Sequence, residues 1–470
     1  MRIFRRLQAG VLLFFVSGCL LAQDLPASVV KAFRQAGIPV SAVGAYAQEA
    51  IAGRTLFVQN GMMPLNPAST MKLVTTEAAL QLLGPAYTWK TAAYASGAQR
   101  GDVLDGDLVI RGGGDPRLLM ENLWLFLRQI RNKGIRQING NLVLDRSLFE
   151  ARAFDASQFD GDPLKPYNAG PDALLLNYHS FALTLTPDQA SGRAQVHVDP
   201  PVGGLPISGP ILVDGECGNW KAALTPSLTD DGIEVTGAYP YACGENTWYV
   251  HPYQMSQGRY FGAIFRQLWT EMGGGLNGQV RDGVLPADAR LVAEWQSAPL
   301  AQVIRDINKF SNNVMARQLL LSIAAQASRS PANPETGVAA VRAWLLDKGI
   351  EAPELVIENG SGLSRIARIS AYTMGRILLA AYNSPTMPEF ISSLPLIGND
   401  GSMRNRLRNS PAAGRAHIKT GSLDGVSAVA GYMMAASGKL YAVVCMVNHP
   451  NAGMARDALD LLLQWVYEHG

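Results

Sequence analysis

In the stretch Asn66-Pro67-Ala68-Ser69-Thr70-Met71-Lys72-Leu73-Val74 the chain changes character. Before it, residues 40 to 60 alternate apolar and polar side chains and reach Leu56-Phe57-Val58. That is the pattern of a β-hairpin, with a turn expected at Asn60-Gly61. Asn66-Pro67-Ala68 then stops the strand. From Ser69 onward Leu73, Val74, Ala78, Leu82 and Leu83 recur at three- and four-residue steps, and Gly84-Pro85 closes the segment, so a helix is predicted from Ser69. A serine that opens a helix has backbone N–H groups and the helix dipole aimed at incoming negative charge. Lys72 lies one turn along the same face, within reach of the Ser69 hydroxyl. It can act as a base if its surroundings lower its pKa. Alone, Ser-x-x-Lys is a weak signal, because a helix cap followed by a surface lysine is its commoner meaning.

Two more motifs follow in order. In Ser311-Asn312-Asn313, residues two apart share a side of an extended or turn segment, so Ser311 and Asn313 can face one cleft while Asn312 points away. An asparagine both donates and accepts, so it can bind a peptide carbonyl and steady a lysine at once. Lys419-Thr420-Gly421-Ser422 lies on a predicted strand, which can pair with an extended peptide. Its lysine attracts a carboxylate, and its glycine leaves room for close approach. The Ser422 N–H, together with that of Ser69, can form an oxyanion hole.

Taken together, the three motifs resemble the active site of penicillin-binding proteins and serine β-lactamases. Pro67-Ala68-Ser69-Thr70-Met71-Lys72, Asn359-Gly-Ser-Gly-Leu-Ser-Arg365, Gly398-Asn-Asp-Gly401 and His417-Ile-Lys-Thr-Gly-Ser-Leu423 sharpen the likeness to one group. The chain is identified as resembling the class C low-molecular-mass penicillin-binding proteins, the D-alanyl-D-alanine carboxypeptidase/endopeptidase family often called penicillin-binding protein 4. That family carries a long insertion between its first two motifs, and here 238 residues separate Lys72 from Ser311. A β-lactamase needs no such insertion.

The resemblance implies an α+β fold: a transpeptidase domain of antiparallel sheet flanked by helices, split into residues 23–87 and 289–470, with two β-rich accessory domains inserted at 88–288. It implies Ser69 as nucleophile, Lys72 as base, Ser311 as proton relay to the leaving amine and Asn313 as holder of the substrate amide. Lys419 and Thr420 would bind the terminal carboxylate, with Gly421 and Ser422 completing the substrate strand. The expected ligands are peptidoglycan peptides ending in D-Ala-D-Ala, meso-diaminopimelate cross-links and β-lactams. No metal or organic cofactor is expected, and the six histidines show no metal-ligand spacing. His417 alternates with Lys419 on one strand face and reads as structural. An acidic side chain of the insertion would meet the diaminopimelate amine, and Asp155 and Asp160 are candidates by location. Membrane attachment and a homodimer are left open.

The bulk numbers agree with a large exported protein. The chain has 470 residues, 48% hydrophobic and 17% charged, and its formal net charge of +2 points to no nucleic-acid surface. Arg2, Arg5 and Arg6 precede a short apolar run, Val11 to Val16, and small residues follow up to Ala22. This is the form of a secretory signal peptide over residues 1–22, and it leads to a periplasmic location. Val16-Ser17-Gly18-Cys19 also resembles a lipobox, which would make Cys19 a lipidated N-terminus. In an oxidising compartment Cys217 and Cys243 are expected to pair, whereas Cys445 sits in the apolar strand-like run YAVVCMV and reads as a buried thiol. Residues 88–288 are punctuated by Gly and Pro between short strand-like runs, and Arg111-Gly-Gly-Gly-Asp115 reads as tight turns, since it lacks the Gly-Lys-Ser/Thr ending of a phosphate loop.

Overall fold

The strand Leu440–Asn448 is apolar on both faces. Ala442, Val444 and Met446 enter one hydrophobic core, while Tyr441, Val443, Cys445 and Val447 enter another. Such a strand must lie inside a sheet covered by helices on both sides. The computed structural model, which describes residues 24–328 and 330–470, shows that sheet. Five antiparallel strands run in the order Ala416–Leu423, Val426–Met434, Leu440–Asn448, Val43–Glu49 and Thr55–Gln59. Helices Ala27–Gln35 and Arg456–His469 cover one face. The other face carries Met71–Leu83, Leu300–Lys309, Asn313–Ala327, Pro334–Asp347 and Ala371–Tyr382.

Helix Met71–Leu83 is the middle of that second core. Every residue from Met71 to Leu80 is buried, so the helix is enclosed on all sides. Leu82, read from the sequence as part of an apolar stripe, is 40% exposed at the helix end. The hairpin is present, but its turn lies at residues 50–54, between Val43–Glu49 and Thr55–Gln59. Asn60-Gly61 instead follows the second strand; the Asn60 side chain reaches back to the Val40 and Val43 carbonyls at 3.0 and 2.8 Å.

The insertion forms two further seven-stranded sheets. The first runs from Lys90–Arg100 through Val103–Arg111 and returns much later in the chain, closing with Arg290–Gln296 antiparallel to Lys90–Arg100. The inserted sheet therefore extends eight residues past the 288 boundary expected from the sequence, because the ladder partner of its first strand is its last. This sheet also carries two amphipathic helices, Met120–Asn132 and Gln257–Glu271. The second sheet, spanning 181–250, is nested within the first, and Cys217 and Cys243 form a disulfide there. One hydrophobic core runs through both sheets. The Arg111–Asp115 run packs backbone on backbone: a Cβ on Gly113 would lie 2.1 Å from the Lys90 carbonyl oxygen, which explains the glycine without a phosphate. No helix among the described residues is long and apolar enough to cross a membrane. The segment 1–22, with Cys19, lies outside the described residues.

Candidate active site

The loop before Ser69 is clamped. Asn66 is buried, and its Oδ1 accepts from the Ala68 N–H at 2.9 Å. Its own N–H donates to Asn448 Oδ1 at 2.7 Å, and Asn448 Nδ2 donates back to the Asn66 carbonyl at 3.0 Å. Within this clamp Ala68 adopts φ +46°, a left-handed conformation that a non-glycine residue holds only when its surroundings impose it. Ser69 follows on a single 3₁₀ turn, Ala68–Thr70, which feeds directly into helix Met71–Leu83.

Lys72 is fully buried, and its Nζ has three partners. They are Ser69 Oγ at 3.0 Å, Asn313 Oδ1 at 2.5 Å and the Ser361 carbonyl at 2.6 Å. The two carbonyl-type oxygens can only accept. A neutral amine has two N–H bonds, which those acceptors take up, so its lone pair is left facing Ser69. The environment favours that neutral form: burial first, then the charges of Lys419 and Arg317, hold Lys72 well below the ordinary lysine range. The Ser361 carbonyl is a partner that the sequence reading did not single out. It is brought in by Gly362 at φ +76°, where a Cβ would sit 1.9 Å from the Ala68 carbonyl oxygen.

Ser311 and Asn313 come from the turn between helices Leu300–Lys309 and Asn313–Ala327. Ser311 holds φ +57°, again left-handed. Its hydroxyl accepts from Lys419 Nζ at 2.9 Å, while Asn313 faces Lys72. Asn312 points the other way and caps helix Asn313–Ala327, its Oδ1 accepting from the Met315 N–H at 3.0 Å. Lys419 is buried on the edge strand Ala416–Leu423 and also donates to the Thr420 carbonyl at 2.7 Å; burial pulls its pKa down to about 7. A Cβ on Gly421 would lie 2.6 Å from the Pro67 carbonyl oxygen and 3.0 Å from the Ser69 nitrogen, so this strand passes against the start of the Ser69 turn. Ser422 is exposed beside it. The Thr420 hydroxyl meets that of Ser402 at 2.8 Å, a contact the sequence reading also missed. His417 is half-buried, and burial lowers its pKa.

The eight residues expected to form the site thus converge from three regions of the chain. The two acidic candidates separate. Asp160 is already engaged by the Tyr167 hydroxyl at 2.7 Å and Asn168 Nδ2 at 2.8 Å. Asp155 lines a cleft with Phe159, Asn359, Leu363 and Arg365; both of its hydrogen bonds, from Ser157, fall on Oδ1. The Arg365 guanidinium lies over the Phe159 ring, 4.5 Å from its centroid.

Comparison with known proteins follows the same outline. The family model for the D-Ala-D-Ala carboxypeptidase 3 (S13) family matches residues 25–466. A D-alanyl-D-alanine carboxypeptidase of Actinomadura sp. (strain R39) is 29% identical over 430 residues, covering 86% of this chain and 77% of that protein. The crystal structure of penicillin binding protein 4 (dacB) from Haemophilus influenzae superposes with a TM-score of 0.78 at 24% identity, over 94% of this chain and 100% of that one. The same protein complexed with a novel β-lactam gives 0.75 at 25% identity, with the same coverage. A match that spans nearly all described residues, on a chain whose three motifs meet in one cleft, places this protein in the D-Ala-D-Ala carboxypeptidase 3 (S13) family, the class C low-molecular-mass penicillin-binding proteins.

Proposed function

We propose that the protein is a periplasmic serine D-Ala-D-Ala carboxypeptidase and DD-endopeptidase that trims peptidoglycan peptides through an acyl-enzyme on Ser69 and is inhibited by β-lactams. The observation that carries this reading is the Lys72 amine, 3.0 Å from Ser69 Oγ, with its other two contacts both obligate acceptors. Ser69 Oγ attacks the carbonyl of the penultimate D-alanine as its proton passes to Lys72. The oxyanion is met by the backbone N–H groups of Ser69 and Ser422. The C–N bond then breaks as Ser311, held by Lys419, passes its proton to the leaving amine and takes up in its place the proton that Lys72 received from Ser69, which returns Lys72 to its neutral form. Asn313 holds the substrate amide. Lys419, Thr420 and the exposed hydroxyl of Ser422 take the free carboxylate of the leaving residue. Water, activated by the same Lys72, releases the acyl group and restores Ser69. The catalytic unit on this reading is 24–87 with 297–470, and the two inserted sheets are accessory. Asp155, whose Oδ2 is uncommitted, is the better candidate for the diaminopimelate amine; Asp160 is held by its own loop.

Mass spectrometry after incubation with penicillin tests the mechanism. A stable adduct is expected on the peptide containing Ser69, and none on Ser69→Ala. Lys72→Ala should acylate about 10² to 10⁴ times more slowly, the usual contribution of a positioned base. Rapid turnover of penicillin without a lasting adduct would make the protein a β-lactamase instead.

A further inference from the structure

Beside Thr420 and Ser422 there is a second depression of about 430 Å³, which shares no lining residue with the Asp155 cleft. It is bordered by Ser402, Arg404, Asn405, Thr420, Ser422 and Arg456, and none of the side chains lining it is acidic. Its charge is not already spent. Arg406, deeper in the wall, is paired with Asp460 at 2.5 Å, but Arg404 and Arg456 are exposed and take part in no ion pair among the described residues. Thr420 and Ser422 alternate with Lys419 and Gly421 along the edge strand, so their hydroxyls share one side. One end of this basic cleft is therefore the site at which the mechanism above puts the free carboxylate of the leaving residue.

We infer that Arg404 and Arg456 form a subsite for an acidic leaving peptide, and that they set the preference of the enzyme for cross-links. This rests on the proposed function and adds a substrate-selecting element to it. When the bond cut is a terminal D-Ala-D-Ala, the leaving group is one alanine, and its single carboxylate is met by Thr420 and Ser422. When the bond cut is a cross-link, the leaving amine belongs to diaminopimelate within a second stem peptide. That peptide carries further carboxylates beyond the cut. They must extend from Thr420 and Ser422 into the neighbouring space, and the two unpaired guanidinium groups stand there. Guanidinium suits the task, because it stays charged and offers a planar fork to a carboxylate. The cleft is open to solvent, so the gain per contact is modest and screened by salt, and its effect is on selection more than on chemistry.

The test compares two substrates on one enzyme: a soluble pentapeptide ending in D-Ala-D-Ala, and a purified cross-linked muropeptide dimer. Penicillin titration counts the folded active sites in every variant. Arg404→Gln with Arg456→Gln should lower kcat/KM on the dimer about tenfold and on the pentapeptide by less than about twofold. Charge reversal to Glu should widen that gap, and raising the salt concentration should narrow it for the wild type. Arg408→Gln, an exposed arginine outside the cleft, should change neither. Equal losses on both substrates, or no loss on either, would overturn the subsite while leaving the serine mechanism standing. A wild type that releases D-alanine but leaves dimers uncut would overturn it as well. A wild type that neither binds penicillin nor releases D-alanine would overturn the proposed function itself.

Discussion

Asn312 and Asn313 are adjacent in sequence and equal in composition, yet they make different contacts, so replacing each with alanine separates chemistry from folding. Asn312 Oδ1 caps helix Asn313–Ala327 through the Met315 N–H at 3.0 Å. Losing such a cap costs about 1 kcal/mol, equivalent to about 2–4 °C in Tm for a unit of this size, and it touches no reacting group. Asn313 Oδ1 instead accepts from Lys72 Nζ at 2.5 Å. Without it, a buried N–H of Lys72 loses its acceptor and the amine is free to turn away from Ser69. On the proposed mechanism the substrate amide also loses a partner. By comparison with loss of one oxyanion donor, the cost at the transition state is about 2–4 kcal/mol, or about 30- to 1000-fold in kcat/KM. A third variant, Asn313→Asp, sharpens the test. A carboxylate against Lys72 favours its charged form, so the rate at neutral pH should fall and partly recover as pH rises. The assay is D-alanine release, with melting temperature measured on each protein. If the two alanine variants lose activity equally while both stay folded, the assignment of Asn313 to the cleft is wrong.

Other outcomes follow from the same geometry. The rate of acylation by penicillin should rise with pH as Lys72 loses its proton and level off well below the ordinary lysine range, because burial and the charges of Lys419 and Arg317 favour the neutral amine; Lys419, charged below about 7, blunts that rise at the acid end, and a rate still climbing near pH 10 would refute the role of Lys72. Gly421→Ala would drive a methyl group to 2.6 Å from the Pro67 carbonyl oxygen and 3.0 Å from the Ser69 nitrogen, so acylation should slow by at least about tenfold with a loss of about 1–3 kcal/mol in stability; an unaffected acylation rate would show that the strand does not border the oxyanion site. Thiol titration of the unfolded, unreduced mature protein should find one free thiol, Cys445, and reduction of Cys217–Cys243 should cost about 3 kcal/mol on the chain-entropy model; three free thiols would refute the bridge.

The residues proposed for catalysis were legible because the chemistry proposed for them needs fixed local spacings. Ser69 and Lys72 must sit one helical turn apart, and Ser311 and Asn313 must flank a residue that turns away; both constraints are written in consecutive letters. The central strand was legible for a related reason: a run such as YAVVCMV is tolerated only where helices cover both faces of a sheet. What stayed hidden depends on distant pairing or on backbone atoms. The Ser361 carbonyl completes the shell of Lys72, but a carbonyl carries no side-chain signature, and only the crowding at Gly362 betrays it. Strand Arg290–Gln296 finds its partner nearly 200 residues upstream, so no local pattern could assign it to the inserted sheet. Helix Met120–Asn132 buries one clear face, Leu123, Phe126, Leu127 and Ile130, and helix Gln257–Glu271 buries every residue from Tyr260 to Phe265, yet the Gly- and Pro-rich loops around them dominate the texture.

The insertion is also a structural support of the site, and this follows from where helix Asn313–Ala327 finds its partners. The first residue of the helix contacts Lys72, and its next turn is tied to the insertion. Arg317 is buried and donates to the Tyr167 and Ala169 carbonyls at 3.0 and 2.8 Å. Gln318 bonds to both the N–H and the carbonyl of Asp172, and Ser322 accepts from the Trp89 indole at 2.8 Å. A buried guanidinium is costly unless its donors are met, and the two insertion carbonyls meet part of that need. Once held, its positive charge opposes protonation of Lys72. The loop around 167–172 therefore acts twice on the same amine. It fixes the helix that presents Asn313, and it keeps in place the cation that favours the basic form of Lys72. A long insertion at this point in the chain does not interrupt the proposed site, because the loop it returns is one of the walls around Lys72.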